Sequence, residues 1–263
     1  VETLDVNGTQ RNYLLHLPPD PTGKPLVIAL HPLGSNPQLM EVMTDLSRLA
    51  SEESFIVAYP EGTKAHEGGL RSWNARFCCR DAMGMNADDI GFLSKLIDTL
   101  IERYSVYGVF VTGFSNGGML AHLAGIELSH KLTAIAPVAA TVGREIIEMT
   151  PKRELPVLIV HGTDDHLLPL EGRGSGRLLP VHRAVEFWAR ANHCGAEPVV
   201  EEKNGIEVTR YASCGRDAEV VFYKVSGAGH VWPGSSVRMR SESDPGTLDA
   251  SAEIWKFFRS HLR

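Results

Sequence analysis

The sequence predicts an α/β fold, a mostly parallel sheet with helices on both faces. Three observations predict it. Short apolar, β-branched runs such as Leu26–Leu30 and Val109–Val111 have the length and composition of buried strands. Stretches with apolar residues at helical spacing follow most of them. Clusters of Gly, Pro and polar residues mark the junctions.

Taken in order, Asn12–Leu17 reads as an early strand, cut off from Leu26–Leu30 by Pro18, Pro19, Pro21, Gly23 and Pro25. His31-Pro32-Leu33-Gly34-Ser35-Asn36 is a tight turn before a helix around Leu39–Leu49. Phe55–Tyr59 is the next strand, ended by Pro60-Glu61-Gly62. The polar loop from Thr63 to Asn86 holds Trp73 and Cys78-Cys79, and loops of that length are usually functional. Asp88-Asp89-Ile90 opens a helix with Ile90, Leu93, Leu96, Ile97 and Leu100 on one face, and the two acids are expected to cap its start. After Val109–Val111 a helix begins near Leu120. Strands Leu132–Ala139 and Pro156–Val160 follow, then a Gly/Arg-rich loop at Glu171–Gly176 and a helix over Val181–Ala191. Strands Ile206–Ala212 and Glu219–Val225, the loop Gly227–Gly234 and a final helix, Leu248–Leu262, end the order. With no repeat or linker in view, residues 1–263 are expected to form one catalytic domain.

Composition narrows the classes. The chain has 263 residues, 43% hydrophobic and 22% charged, as in a soluble globular protein. A net charge of -6 and the lack of a dense Lys/Arg run argue against a nucleic-acid partner. The apolar runs are too short to span a bilayer, so no membrane partner is expected. The chain begins without Met and shows no signal peptide, which is expected to have been removed or trimmed.

The chemistry centres on Gly113-Phe114-Ser115-Asn116-Gly117, a G-x-S-x-G pattern between a strand and a helix. In that context the pattern forms a nucleophile elbow: a sharp turn lifts the Ser115 hydroxyl clear of the sheet edge, and the Asn116 amide lies at a helix N-terminus. A serine hydroxyl needs a base to take its proton, and the base needs a carboxylate to fix its tautomer. In the α/β-hydrolase arrangement the three come in the order Ser, Asp or Glu, His, each beyond a strand's C-terminal end. Asp164 and Asp165 follow Pro156–Val160, and His230 follows Glu219–Val225 in a Gly-rich loop. His166 lies too near the candidate acid, while His182, His193 and His261 belong to predicted helices. A second oxyanion donor should come from His31-Pro32-Leu33-Gly34. Pro32 has no N–H, so Leu33 is the choice beside Asn116. The His161/His166 pair lacks H-E-x-x-H spacing, so neither a metal nor any other cofactor is expected.

At these residues the chain resembles the secreted α/β-hydrolase esterases related to polyhydroxybutyrate depolymerases and feruloyl esterases. The likeness runs through Leu30-His31, Ser72-Trp73-Asn74-Ala75, Cys78-Cys79, Asp88–Leu93, Gly113–Gly118, His161-Gly162-Thr163-Asp164-Asp165, Leu168-Pro169, Cys194, Cys214 and Gly229–Gly234. It implies Ser115 as nucleophile, His230 as base and, through an H-G-T-x-D pattern, Asp165 as acid. Periodicity alone leaves Asp164 and Asp165 open. Relatives usually carry His-Gly where this chain has His31-Pro32.

The resemblance implies a serine ester hydrolase acting on feruloyl, hydroxycinnamoyl or short-acyl esters. The alternatives are a polyester depolymerase and, from another class, a catalytically inactive binding relative. Trp73 and Trp232 are expected to wall the cleft. The charged stretch Thr141–Leu155 is too short for a large lid, so the cleft should stand open. The chain leaves no residues for a separate polymer-binding module, which favours soluble esters as substrate partners. Cys194 follows a predicted helix and Cys214 a predicted strand. A bridge between them is expected, against the alternative of four reduced cysteines, and would suit a secreted or periplasmic location. Cys78 and Cys79 are left either bridged to each other or reduced.

Overall fold

Two strands at one edge, β1 (Glu2–Val6) and β2 (Thr9–His16), introduce the sheet of the computed structural model, which describes residues 1–172, 177–195, 197–237 and 242–262. The strands that follow are β3 (Leu26–Leu30), β4 (Ile56–Pro60), β5 (Val109–Phe114), β6 (Ala134–Val138), β7 (Val157–Gly162), β8 (Val199–Lys203), β9 (Ile206–Tyr211) and β10 (Val220–Val225). Among the described residues they form one ten-stranded sheet in the order β1-β2-β4-β3-β5-β6-β7-β10-β9-β8. The run from β4 to β10 is parallel, and both flanks are antiparallel. Every residue of β3, β5, β6 and β7 is buried, the expected state of parallel strands covered on both faces.

Helices α1 (Pro37–Thr44), α2 (Leu46–Glu53), α3 (Arg80–Gly84), α4 (Asp89–Tyr104), α5 (Asn116–Glu127), α6 (Val181–Ala191) and α7 (Ala250–Ser260) connect them. Strand residues alternate between two cores. Ile28, Val111, Ile135 and Ile159 pack with α4, α5 and α6. Val27, Phe110, Ala136 and Leu158 pack with α1, α2 and α7. Helix α5 is buried from Asn116 to Ile126, so it is apolar nearly all round and sits beneath the elbow as a fixed support.

Several local features differ from expectation for physical reasons. The single helix expected around Leu39–Leu49 is two, because Asp45 turns left-handed (φ 51) and closes α1 with its N–H on the Glu41 carbonyl. Asp88 caps α4 by accepting from Gly91 N at 2.8 Å. Asp89 does not cap: it is buried, pairs with Arg11 at 2.7 Å and accepts from Asn74 N at 2.8 Å. The ion pair thus ties β2, α4 and the Trp73 loop together. Of the loop expected at Glu171–Gly176, positions 173–176 lie outside the described residues.

Cys194 and Cys214 are disulfide-bonded, joining the end of α6 to the segment after β9, and Cys78 is bonded to Cys79. The Cys194–Cys214 link closes a loop with a separation of 20 residues. Replacing both cysteines by serine is therefore expected to lower unfolding free energy by about 3 kcal/mol on the chain-entropy model, measured by denaturant titration. Peptide mapping under non-reducing conditions should find neither Cys194 nor Cys214 as a free thiol.

Candidate active site

The elbow is built as its sequence requires. β5 ends at Phe114, α5 starts at Asn116, and Ser115 between them holds φ 55, ψ -118, a conformation that side-chain-bearing residues rarely adopt. A Cβ at Gly117 would run into the Leu30 carbonyl oxygen and come within 2.7 Å of that of His31. Glycine at this position is what lets the loop after β3 lie against the elbow.

Around Ser115 the C-terminal strand ends bring together the other predicted polar residues. Ser115 Oγ is 2.9 Å from His230 Nε2, and His230 Nδ1 is 2.7 Å from Asp165 Oδ2. His230 and Asp165 are buried, while Ser115 keeps partial exposure. Asp164, in contrast, is exposed and accepts from the Thr163 hydroxyl at 2.8 Å. His166, His182 and His193 are exposed as well.

The loops that carry Asp165 and His230 are fastened to each other. Asp164 N donates to the Ala228 carbonyl at 2.9 Å and Gly227 N to Thr163 Oγ1 at 2.8 Å. A Cβ at Gly162 would strike the Ala228 carbonyl, so this approach also needs glycine. Beyond the expected set, Glu242 accepts from the His230 backbone N–H at 3.2 Å, and Ser243 accepts from Gly229 N at 2.8 Å through its carbonyl. No motif marks these two residues; their contribution lies in tertiary contact alone.

Asp165 is anionic by construction. Burial favours its neutral form, but hydrogen bonds from His161 and His230, electrostatic attraction to the His230 ring and the Leu168 backbone amide together hold the carboxyl well below the usual carboxylate range. Its Oδ1 accepts from Leu167 N at 2.9 Å and Leu168 N at 2.7 Å.

The Leu33 and Asn116 amides, expected as oxyanion donors, have no acceptor among the described residues. The direction of the Leu33 N–H follows from its neighbours. His31 Nδ1 is 2.8 Å from the Pro32 carbonyl oxygen, which also accepts from Ser35 N at 3.1 Å. The peptide is planar and trans, so fixing the Pro32 C=O turns the Leu33 N–H to the opposite side. His31 Nε2 accepts from Gly62 N at 2.9 Å, which leaves the ring proton on Nδ1. Burial pushes the His31 pKa down to about 4, so the ring is neutral at physiological pH. Asn116 adds a side-chain clasp on Trp73: its Oδ1 accepts from Trp73 N at 2.8 Å and its Nδ2 donates to the Trp73 carbonyl at 3.0 Å.

The expectation that Trp73 and Trp232 wall the cleft is corrected. Trp73 is fully buried, drawn under the loop after β3 by the Asn116 clasp and by its indole N–H, which donates to the His31 carbonyl at 2.8 Å. Trp232 is 2% exposed, and its indole N–H donates to Ser251 Oγ of α7 at 3.0 Å. Both act through packing. Between β6 and β7 the chain forms only a 3-10 turn at Ile146–Glu148, held down by Thr141 Oγ1 donating to the Leu179 carbonyl at 2.8 Å and Leu179 N to that of Val142 at 3.0 Å. That segment is no large lid.

Comparison with known proteins gives the family and the fold. Residues 17–175 match the phospholipase/carboxylesterase family. A feruloyl esterase B of Piromyces equi is 28% identical over 218 residues; the match takes in 78% of this chain, which spans only 39% of that protein's length. Feruloyl esterase D of Neurospora crassa is 26% identical over 279 residues, covering 97% of this chain and 84% of its own. An acetyl xylan esterase from Aspergillus awamori shares the fold, with a TM-score of 0.64 at 17% identity over 97% of this chain and 98% of that one.

Proposed function

The chain belongs to the phospholipase/carboxylesterase family and has the α/β-hydrolase fold of a carboxylic ester hydrolase, and from that premise we propose a residue-by-residue reaction. Ser115 Oγ attacks the ester carbonyl while His230 Nε2 takes its proton. The Leu33 and Asn116 amides stabilise the oxyanion of the tetrahedral intermediate. His230 then returns the proton to the leaving alcohol, and water resolves the acyl-enzyme by the same route. Asp165 keeps the His230 proton on Nδ1 and stabilises the transient imidazolium. The observation that carries this reading is the continuous hydrogen-bonded chain Ser115–His230–Asp165, at 2.9 and 2.7 Å. The reaction consumes only ester and water and calls for no cofactor, nucleic acid or membrane.

A fluorophosphonate probe tests it directly. The wild-type protein should be labelled once, on Ser115, and Ser115→Ala not at all. A folded wild-type protein that takes no label and turns over no ester would be the inactive binding relative instead.

Feruloyl, hydroxycinnamoyl or short-acyl esters are the substrate class we favour. The similarity to proteins named feruloyl esterases supports it, as does the pinned, short segment between β6 and β7. Such a cleft should admit a bulky alcohol, such as a sugar or a polymer segment. Rates on a short-chain ester should rise hyperbolically with concentration, with no jump at the solubility limit. A sharp jump there, or faster attack on a polyester film than on soluble esters, would contradict this preference. The unbroken sheet supports reading the chain as one catalytic domain, and the Cys194–Cys214 disulfide supports a secreted or periplasmic location.

A further inference from the structure

His161 is a buried histidine that the reaction above does not use. It sits near the end of β7, four residues before Asp165, and strand alternation places it on the same face as Ile159. Its Nε2 is 2.8 Å from the Leu168 carbonyl oxygen and 3.3 Å from Asp165 Oδ2. A carbonyl can only accept, so Nε2 carries the proton and shares it between the two oxygens. Its Nδ1 is buried with no hydrogen-bond partner among the described residues.

We propose that His161 is a positioning residue for ester hydrolysis: its Nε2–H holds the Asp165 carboxylate and the turn around it in register with His230. This rests on the reading of Asp165 as the carboxylate that orients His230.

The bonds form a closed set. Asp165 Oδ1 is fixed by the amides of Leu167 and Leu168, and the Leu168 carbonyl of that same turn is gripped by His161. Asp165 Oδ2 is left with two donors, His230 Nδ1 at 2.7 Å and His161 Nε2 at 3.3 Å. The His161 Nε2–H orients the carboxylate from one side, while His230 Nδ1 keeps the shorter contact with the same oxygen.

Four measurements test the proposal. His161→Leu removes the donor at similar bulk and should lower kcat by about 10- to 100-fold with KM within about twofold of wild type. His161→Gln can place an amide N–H near the position of Nε2 and should recover most of that loss. A merely structural role predicts instead that both variants lose thermal stability while kcat per folded molecule stays at the wild-type value. That result would overturn the proposal, as would a His161→Gln enzyme as slow as His161→Leu. Nitrogen-15 NMR of the histidines in the wild-type enzyme stands even if neither variant folds: His161 should carry a proton on Nε2. A ring protonated on Nδ1 alone sinks the idea. Asp165→Asn run alongside separates the two readings. If it is inactive while His161→Leu is unimpaired, this proposal alone fails; if it keeps the wild-type rate, both fall.

Discussion

Ser115→Ala and His230→Ala are each expected to remove nearly all ester hydrolysis, lowering kcat by on the order of 10^4- to 10^6-fold with the fold intact. The size of the effect follows from the geometry. Ser115 Oγ has its acceptor, His230 Nε2, at 2.9 Å, and the two act as one unit, so losing either loses the whole covalent route. The double variant should therefore be hardly slower than either single one. What remains would be the contribution of the oxyanion amides. A companion variant separates chemistry from strain. Ser115 is held at φ 55, ψ -118, where a side chain is disfavoured and glycine is at ease. Ser115→Gly should be as inactive as Ser115→Ala yet more stable than it by on the order of 1 kcal/mol, read by denaturant unfolding. Activity surviving in Ser115→Ala would remove the nucleophile assignment.

Those two residues were legible because their motifs tie residue type to backbone shape. G-x-S-x-G between a strand and a helix leaves few other conformations, and β3 and α6 were readable to the residue because apolar runs and turn residues bound them on both sides. The edge strands β1 and β8 were not legible. β8 is Val-Val-Glu-Glu-Lys with every residue exposed, so it carries no burial pattern from which to infer a strand. The split at Asp45 was hidden for a related reason, since a left-handed residue other than glycine leaves no compositional mark. The tryptophans show the limit most clearly. Residue type makes an aromatic in a long loop look like a cleft wall, but Asn116 and the His31 carbonyl turn Trp73 inward, and both contacts span more than forty residues of sequence. In the sequence His161 suggests no role of its own beyond a metal-ligand pair with His166. Its place beside Asp165 depends on strand alternation and on a turn that returns the chain to it, and neither shows in a motif.

The choice between neighbouring aspartates carries the second large effect. Asp165→Asn should lower kcat by roughly 10^4-fold, whereas Asp164→Asn should change it by less than about threefold. The amides of Leu167 and Leu168 both point at Oδ1 of residue 165, so an asparagine there must keep its carbonyl oxygen at that position. Its NH2 then takes the place of Oδ2, facing His230 Nδ1. Two donors cannot share that bond, so Nδ1 becomes the acceptor and the ring proton moves to Nε2. There it confronts the Ser115 hydroxyl, and His230 no longer serves as a base. The Asp164 carboxylate is exposed, accepts from the Thr163 hydroxyl and makes no bond to Ser115, His230 or Asp165 among the described residues, so its loss leaves the hydrogen-bonded chain to Ser115 in place. Stability supplies an independent check with a definite sign. The folded-state pKa of Asp165 lies below its unfolded value, so its ionised form stabilises the fold above the ordinary carboxylate range, and that stability is lost as pH falls through the folded pKa. The stability gap between wild type and Asp165→Asn should thus be widest near neutral pH and narrow as the solution is acidified. An Asp164→Asn enzyme more damaged than Asp165→Asn would transfer the role to the exposed neighbour, and a gap that widened in acid would contradict a stabilising Asp165 carboxylate.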